Sequence, residues 1–218
     1  KSAIFFQNHY KDIEKKILQF LNSQPEFLSS RTAQSPRAVG DAIESILVDN
    51  FGKIMGDLVK EYSSSFARRA MADLAFTDKD DFYYVVDVKT HRLDTKFNMP
   101  NLTSVERISR FYEDDKNHFV VLNVAYNIEV SAAKIKKVTF APIEFFSWDC
   151  LTLGALGWGQ IQIANSNHIT VVPKNSRKKW MLELCDNLFE FYPKEIGKIT
   201  ERIKHFKKVR KFWEKKES

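Results

Sequence analysis

DFYYVVDVKTHRLDTKFNMPN, residues 81–101, is the stretch on which the reading of the chain turns. Its first half, from Phe82 to Val88, is rich in the aromatic and β-branched residues that suit a strand. Asp87 and Lys89 interrupt it near its end. Alternate side chains of a strand share a face, so Asp87 and Lys89 point the same way while Val88 points into the core. Residues 72–77 are predicted to be a partner strand, joined to 82–88 through the turn TDKDD. That hairpin brings Asp73, at the start of the first strand, towards Asp87. Two carboxylates and the Val88 carbonyl form a hard oxygen site of the kind Mg²⁺ prefers, with waters completing its shell. A lysine beside such a site orients or helps deprotonate a water and stabilises charge on a phosphorane-like transition state. These are the parts needed to hydrolyse a phosphodiester. The same residues would also serve as the solvated end of an ordinary strand.

Working outward, Ile4, Phe5, Tyr10, Ile13, Ile17, Phe20 and Leu21 fall near one helical stripe, which predicts a helix over 4–22. SQPEFLSSRTAQSPRA, residues 23–38, reads as a loop from its two prolines and small polar residues. A second helix is predicted over roughly 38–61, with Ile43, Leu47, Phe51, Ile54 and Leu58 as its apolar stripe. Asp41 is a capping candidate near its start, and Glu44 sits one residue off the stripe. A polar loop runs to Pro100, and residues 102–114 are helical in pattern. HFVVLNVAYNIEV and KKVTFAPIEFF are predicted strands, and GQIQIAN is a short alternating one. Residues 176–191 and 194–216 are predicted helices divided by Pro193. The order is helices, strands, helices. It predicts one α/β domain over 1–218, a mixed sheet packed between helices: N-terminal helices in 1–61, the sheet core in 62–165 and basic helices in 176–218.

The chain has 218 residues, enough for one substantial core. Its net charge of +6 predicts a polyanionic partner, nucleic acid before a membrane surface. Cys150 and Cys185 lack paired spacing, and the five histidines are scattered, which argues against zinc. This cysteine usage, with no secretory leader among these residues, predicts a cytoplasmic protein. No apolar run approaches the length of a membrane span. There is no Gly-rich phosphate loop and no Ser/His/Asp arrangement that the spacing supports.

Asp73 followed by VVDVKT, Val85 to Thr90, resembles the motif of the PD-(D/E)xK nucleases, with Ala72 where that motif has proline. The nearer resemblance is to Type II restriction endonucleases of the EcoRV/HincII-like branch. There, DVKT is followed after a polar loop by a Pro-Asn pair, as Pro100 and Asn101 follow here. GDAIESIL, residues 40–47, resembles the branch's N-terminal helix, with Glu44 at the position of an extra acid. QIQI, residues 160–163, resembles the strand after its major-groove loop. The likeness runs from about residue 36 to about 165. It implies a PD-(D/E)xK core in which Asp73, Asp87 and the Val88 carbonyl hold Mg²⁺, Lys89 is catalytic and Glu44 supports through water or a second metal; Ca²⁺ is expected to support binding but not cleavage. It implies cleavage of double-stranded DNA at a specific site, leaving 5′-phosphates and, by the branch, blunt ends.

Candidate DNA contacts follow. Gly154, Gly157 and Gly159 lie within LGALGWGQIQIANSN, where glycine lets backbone approach base edges closely. Trp158 is a candidate to stack on a base, or else a core residue. Gln160, Gln162 and Asn165 are amide readers by type, which hints at an A·T-rich site. In KFNMPN, Asn98 and Met99 occupy a loop tip that the family places in the minor groove. Asn101 either reads a base or caps the following helix, and Thr90 sits beside the lysine. Arg31, Thr32, Gln34, Ser35 and Arg37 are offered to phosphates or the minor groove. The basic tail carries an apolar stripe, Ile196, Ile199, Ile203, Phe206 and Trp213; one face should pack and the other present charge, as in a DNA-backbone grip or a solvated basic helix. Cutting both strands of a palindrome is simplest for a homodimer. Three other readings stay open: a structure-specific repair or recombination nuclease of the same fold, a DNA-binding module in which Asp73, Asp87 and Lys89 are an ion cluster, and a basic protein-binding domain.

Overall fold

The computed structural model describes residues 1–24, 35–62, 72–129 and 132–216. Its strands are β1 (Val59–Tyr62), β2 (Leu74–Asp78), β3 (Tyr83–Arg92), β4 (Asn101–Ser104), β5 (Asn117–Glu129), β6 (Ala132–Pro142), β7 (Leu151–Gly154) and β8 (Gln160–Ile163). Its α-helices are α1 (Ala3–Phe6), α2 (His9–Asn22), α3 (Pro36–Met55), α4 (Val105–Phe111) and α5 (Arg177–Trp213). The fold is mixed α/β. A five-stranded sheet in the order β1-β2-β3-β5-β6 is joined by a three-stranded sheet in the order β4-β8-β7.

β3 and β5 run parallel at the centre of the large sheet, with antiparallel neighbours on either side. A central parallel pair is covered on both faces, which is why both strands read as nearly unbroken apolar runs. Even-numbered residues of β3 look towards the N-terminal helices: Tyr84 stacks on Phe76 at 4.5 Å and lies 6.0 Å from Phe5. Odd-numbered residues look the other way, where Tyr83 meets Phe111 of α4. α2 packs on β6 and α3 on β3. The hairpin between β2 and β3 is closed by buried Asp78, whose Oδ1 accepts from the amides of Asp80 and Phe82 and whose Oδ2 accepts from the Tyr84 hydroxyl. An Asx-type turn of this kind is a standard use of a short carboxylate.

Several boundaries differ from the sequence reading. The helix expected over 4–22 is broken at Asn8, which adopts φ 68°, a left-handed conformation that asparagine tolerates. The second helix is capped by Ser35, with Pro36 in its first turn, and not by Asp41. It ends at Met55 because Gly56 takes φ 56° at its C-cap. The stretch read as its last turn is instead β1, paired to β2. Residues 102–114 begin as strand β4 before α4. The expected break at Pro193 is absent: α5 is one helix of 37 residues with Pro193 inside it. Proline in a helix removes one hydrogen bond and crowds the preceding turn; Pro193 is exposed, so water can take the freed carbonyl. β4, β7 and the three-stranded sheet were not anticipated.

Candidate active site

β2 ends its pairing at Leu74 opposite Val86, and the Asp73 amide donates one step further to the Val86 carbonyl. Asp73 is thereby carried alongside Asp87. Its Oδ2 accepts from the Val88 amide at 2.6 Å. Asp87 is 7 % exposed, and Lys89 reaches back along the shared face to place Nζ 2.7 Å from Asp87 Oδ1. Asp87 Oδ2 is buried and has no hydrogen-bond partner. From the facing helix, α3 supplies Glu44, one residue beyond buried Ile43 on the rim of the packed stripe.

Three carboxylates and one ammonium therefore share one end of β3. Burial pushes the Asp87 carboxyl up to about 7; Lys89 pulls against that shift, and the charges of Asp73 and Glu44 add to it. Glu44 is also raised, by partial burial first and then by Asp73 and Asp41, with Lys89 opposing. Isolated buried carboxylates are costly unless a cation or hydrogen bonds compensate them. The excess of negative charge and the orphaned Asp87 oxygen both suit a cation. Among the described residues no three His, Cys, Asp or Glu side chains converge on one metal position. The candidate donors beside the orphaned oxygen are two carboxylates, Asp73 and Asp87, with the Val88 carbonyl. Such a set fits Mg²⁺, which commonly takes one or two carboxylates and fills its octahedron with water and phosphate oxygens.

A cleft of about 250 Å³ opens beside this group. Pro36, Arg37, Gly40, Asp41 and Glu44 of α3 form one wall, Val88, Lys89 and Thr90 the floor, and Asn98 and Pro100 the far side. α3 lies close to β3 because residue 40 is glycine: a Cβ there would stand 3.0 Å from Thr90 Oγ1. Arg37 is exposed at the rim, 3.9 Å from Asp41. Glu44, Val88, Lys89, Thr90, Asn98 and Arg37, singled out separately in the sequence, line one cavity. Arg31, Thr32 and Gln34 lie outside the described residues.

The remaining candidates fall on two loops and the small sheet. In the loop after β3, Met99 is exposed, Asn98 is half-buried with its carbonyl accepting from the Ser166 amide, and Phe97 projects furthest. Gln162 of β8 lies opposite Asn101 of β4 and donates to its Oδ1. Asn101 is not a helix cap, since Ser104 accepts from the Arg107 amide and fills that role. Gln160 and Gln162 share a half-buried face of β8, and glycine is needed at 154, opposite Gln160, because a Cβ there would stand 2.7 Å from the Gln162 amide oxygen. Asn165 is spent in a turn, accepting from the Asn167 amide. Trp158 is 59 % exposed, so it is not a core residue; Arg110 lies over its ring at 6.0 Å. Gly157, at φ 58°, shapes that loop.

Three residues went unrecognised in the sequence. Asn123 lies beside Lys89 in the β3–β5 register, 5 % exposed, with Oδ1 unpartnered. It faces the Lys89 side of the sheet, and its signal was a lone amide inside an apolar run. His91 is buried and shares a 2.7 Å contact with Asn167 Oδ1, whose amide donates to the Thr95 and Lys96 carbonyls. That link ties the loop carrying Phe97 and Met99 to β3. Set against models of known protein families and against characterised proteins, the chain matches none.

Proposed function

We propose that the protein is a Mg²⁺-dependent deoxyribonuclease with a PD-(D/E)xK core, and specifically a Type II restriction endonuclease acting on double-stranded DNA. The observation that carries this reading is the pairing of buried Asp87, one oxygen orphaned, with Lys89 and Asp73 beside an open cleft whose floor Lys89 helps to form. Asp73, Asp87 and the Val88 carbonyl would hold Mg²⁺, which when bound supplies positive charge against the scissile phosphate. Asp87 holds one N–H of the Lys89 ammonium, leaving two to orient the attacking water and to bind a non-bridging phosphate oxygen. Attack by water forms the new P–O bond as the bond to O3′ breaks; the proton the water loses passes to solvent and O3′ takes one up from solvent, giving a 5′-phosphate and a 3′-hydroxyl. Glu44, on the opposite wall, accepts from water at the cleft mouth.

The same reading assigns the grooves. Phe97, Asn98 and Met99 enter the minor groove, where an apolar side chain can wedge into a base step. Trp158, Gln160, Gln162 and Asn101 address the major groove, where amides pair best with adenine. Thr90 and Arg37 contact the backbone. Two copies related by a two-fold axis cut both strands of a palindrome, leaving blunt ends.

The test is incubation of the protein with bacteriophage DNA and Mg²⁺ beside Asp87→Ala. Discrete fragments from the native chain and none from the variant are expected. A smear would reassign it to a structure-specific or nonspecific nuclease. DNA left intact by both, on this and on a larger genome, would reduce the cluster to an ion group in a binding module.

A further inference from the structure

Among the described residues, α5 meets the rest of the chain along part of its length. Trp180 and Leu184 are its buried residues, with Met181 and Leu188 packed against the core beside them. A different face carries Leu182, Cys185, Phe189, Tyr192, Ile196, Ile199, Ile203, Phe206, Arg210 and Trp213, alternately three and four residues apart. This is an unbroken heptad seam, with Arg210 the one charged member. Its eight large apolar residues are between 39 % and 72 % exposed. Among the described residues the stripe expected to pack against the domain stays exposed, and of the seam Tyr192 alone reaches the domain, donating its hydroxyl to the Trp158 carbonyl. A surface helix that served only to display charge would not keep a 3.5-residue apolar period over four heptads.

We propose that α5 is a self-association helix, pairing antiparallel with α5 of a second copy about a two-fold axis between Gly197 and Lys198. That axis matches the seam to itself. Ile196 meets Ile199 of the second copy, Phe189 meets Phe206, Ile203 meets Tyr192, Leu182 meets Trp213, and Cys185 meets Arg210. The residues flanking the seam decide the direction. Antiparallel pairing sets Asp186 beside Lys207 and Glu195 beside Arg202 of the second copy, each twice by symmetry. Glu195, now 2.6 Å from Lys198, would share its second oxygen. Parallel pairing sets Arg202 beside Lys207, a like-charge contact, and gains neither ion pair. Flanks that are acidic at Asp186 and Glu195 and basic at Arg202 and Lys207 match an antiparallel second copy and not a uniformly anionic surface. The area suffices. The eight large apolar residues keep between 39 % and 72 % of their surface exposed in each copy, and burying most of that on both copies exceeds the roughly 1,000 Å² total of a specific interface. The assignment does not depend on the nuclease reading.

Sedimentation velocity on the full chain over a range of concentrations tests it. A monomer–dimer equilibrium is expected, weakened at least tenfold by Ile199→Lys, with an unchanged circular dichroism spectrum because Ile199 lies on the exposed seam. Asp186→Lys should weaken it and Asp186→Lys with Lys207→Asp should restore it. Direction is read separately in Arg210→Cys after mild oxidation: a link between Cys185 and residue 210 of the other copy is expected on peptide mapping. A monomer at every concentration would overturn the proposal, as would a Cys185–Cys185 link. A monomer that binds vesicles containing phosphatidylserine would reassign the seam to a membrane surface.

Discussion

Asp87 and Glu144 are both buried acids, 7 % and 3 % exposed, yet the fold surrounds them differently. Glu144 follows β6 in a 3-10 turn and has a partner at every side. The Tyr112 hydroxyl donates to its Oε2 at 2.6 Å, Arg177 donates to Oε1 through Nε and Nη2, and His118 Nδ1 lies 3.6 Å away. Burial alone would raise its carboxyl, but His118, Arg177 and Tyr112 together bring it below its ordinary value. Asp87 has one cationic partner on one oxygen and none on the other, and its carboxyl rises to about 7. A satisfied buried network is what a structural carboxylate looks like; a raised, half-satisfied one at the edge of a cleft is what a site waiting for a ligand looks like.

The largest expected effect separates the two in activity. Lys89→Ala should lower the DNA cleavage rate by about 10³-fold, the scale of losing one preorganised donor at a developing charge. DNA binding in Ca²⁺, measured by anisotropy, should change by no more than a few-fold. A cleavage rate near the native one would remove Lys89 from the chemistry.

In stability the order should invert. Glu144→Gln breaks a buried ion pair and leaves Arg177 uncompensated, so urea denaturation should show a loss of about 3 kcal/mol. Asp87→Asn removes an under-compensated charge, and in the absence of divalent cations it should stabilise the chain by about 1 kcal/mol at pH 8. If both substitutions destabilise equally, the contrast between the two acids fails.

The Glu144 half of the comparison also has a sign in pH. Its folded value lies below the ordinary 4.5, so its stabilising contribution is complete above about pH 4.5. That contribution is lost as pH falls through the folded value. The stability gap between the native chain and Glu144→Gln should be constant from pH 8 to about 5 and close below 4.5. A gap that widens in acid would mean that Glu144 is not held as a carboxylate.

What was legible in the sequence follows from how far apart the interacting residues are. Asp87 and Lys89 share a strand face two residues apart, so their pairing is written locally. Asp73 needed one hairpin, and the turn residues announced it. Ser35-Pro36 is an equally local signal for the start of α3, and it was missed because Asp41 stood nearer the apolar stripe. β1 was hidden because Val59 follows Leu58 without a break in helical spacing, and only Gly56 marks the change. Asn123 and Glu144 lay beyond reach. Asn123 meets Lys89 through a parallel register, and Glu144 collects partners from positions 112, 118 and 177, which only the folded chain brings together. The exposure of the α5 seam was likewise unreadable, since the same stripe would serve an intramolecular contact.

The smallest expected effect tests how tightly the cleft wall is held. Gly40 is helical, so alanine would ordinarily stabilise by up to about 1 kcal/mol through lower chain entropy. Here the added Cβ would meet Thr90 Oγ1 at 3.0 Å, and α3 or the Thr90 rotamer must yield. Gly40→Ala should therefore destabilise slightly, by about 0.5 kcal/mol, and should do so only while Thr90 is present. In Thr90→Ala the same substitution should recover its helical gain, so a double-mutant cycle should return a coupling of about 1 kcal/mol. A coupling near zero, with the Thr90 rotamer unchanged in a structure of Gly40→Ala, would mean that α3 can slide away from β3. Glu44 would then be free to move with it, and the acid on that wall would stand at no fixed distance from Asp73 and Lys89.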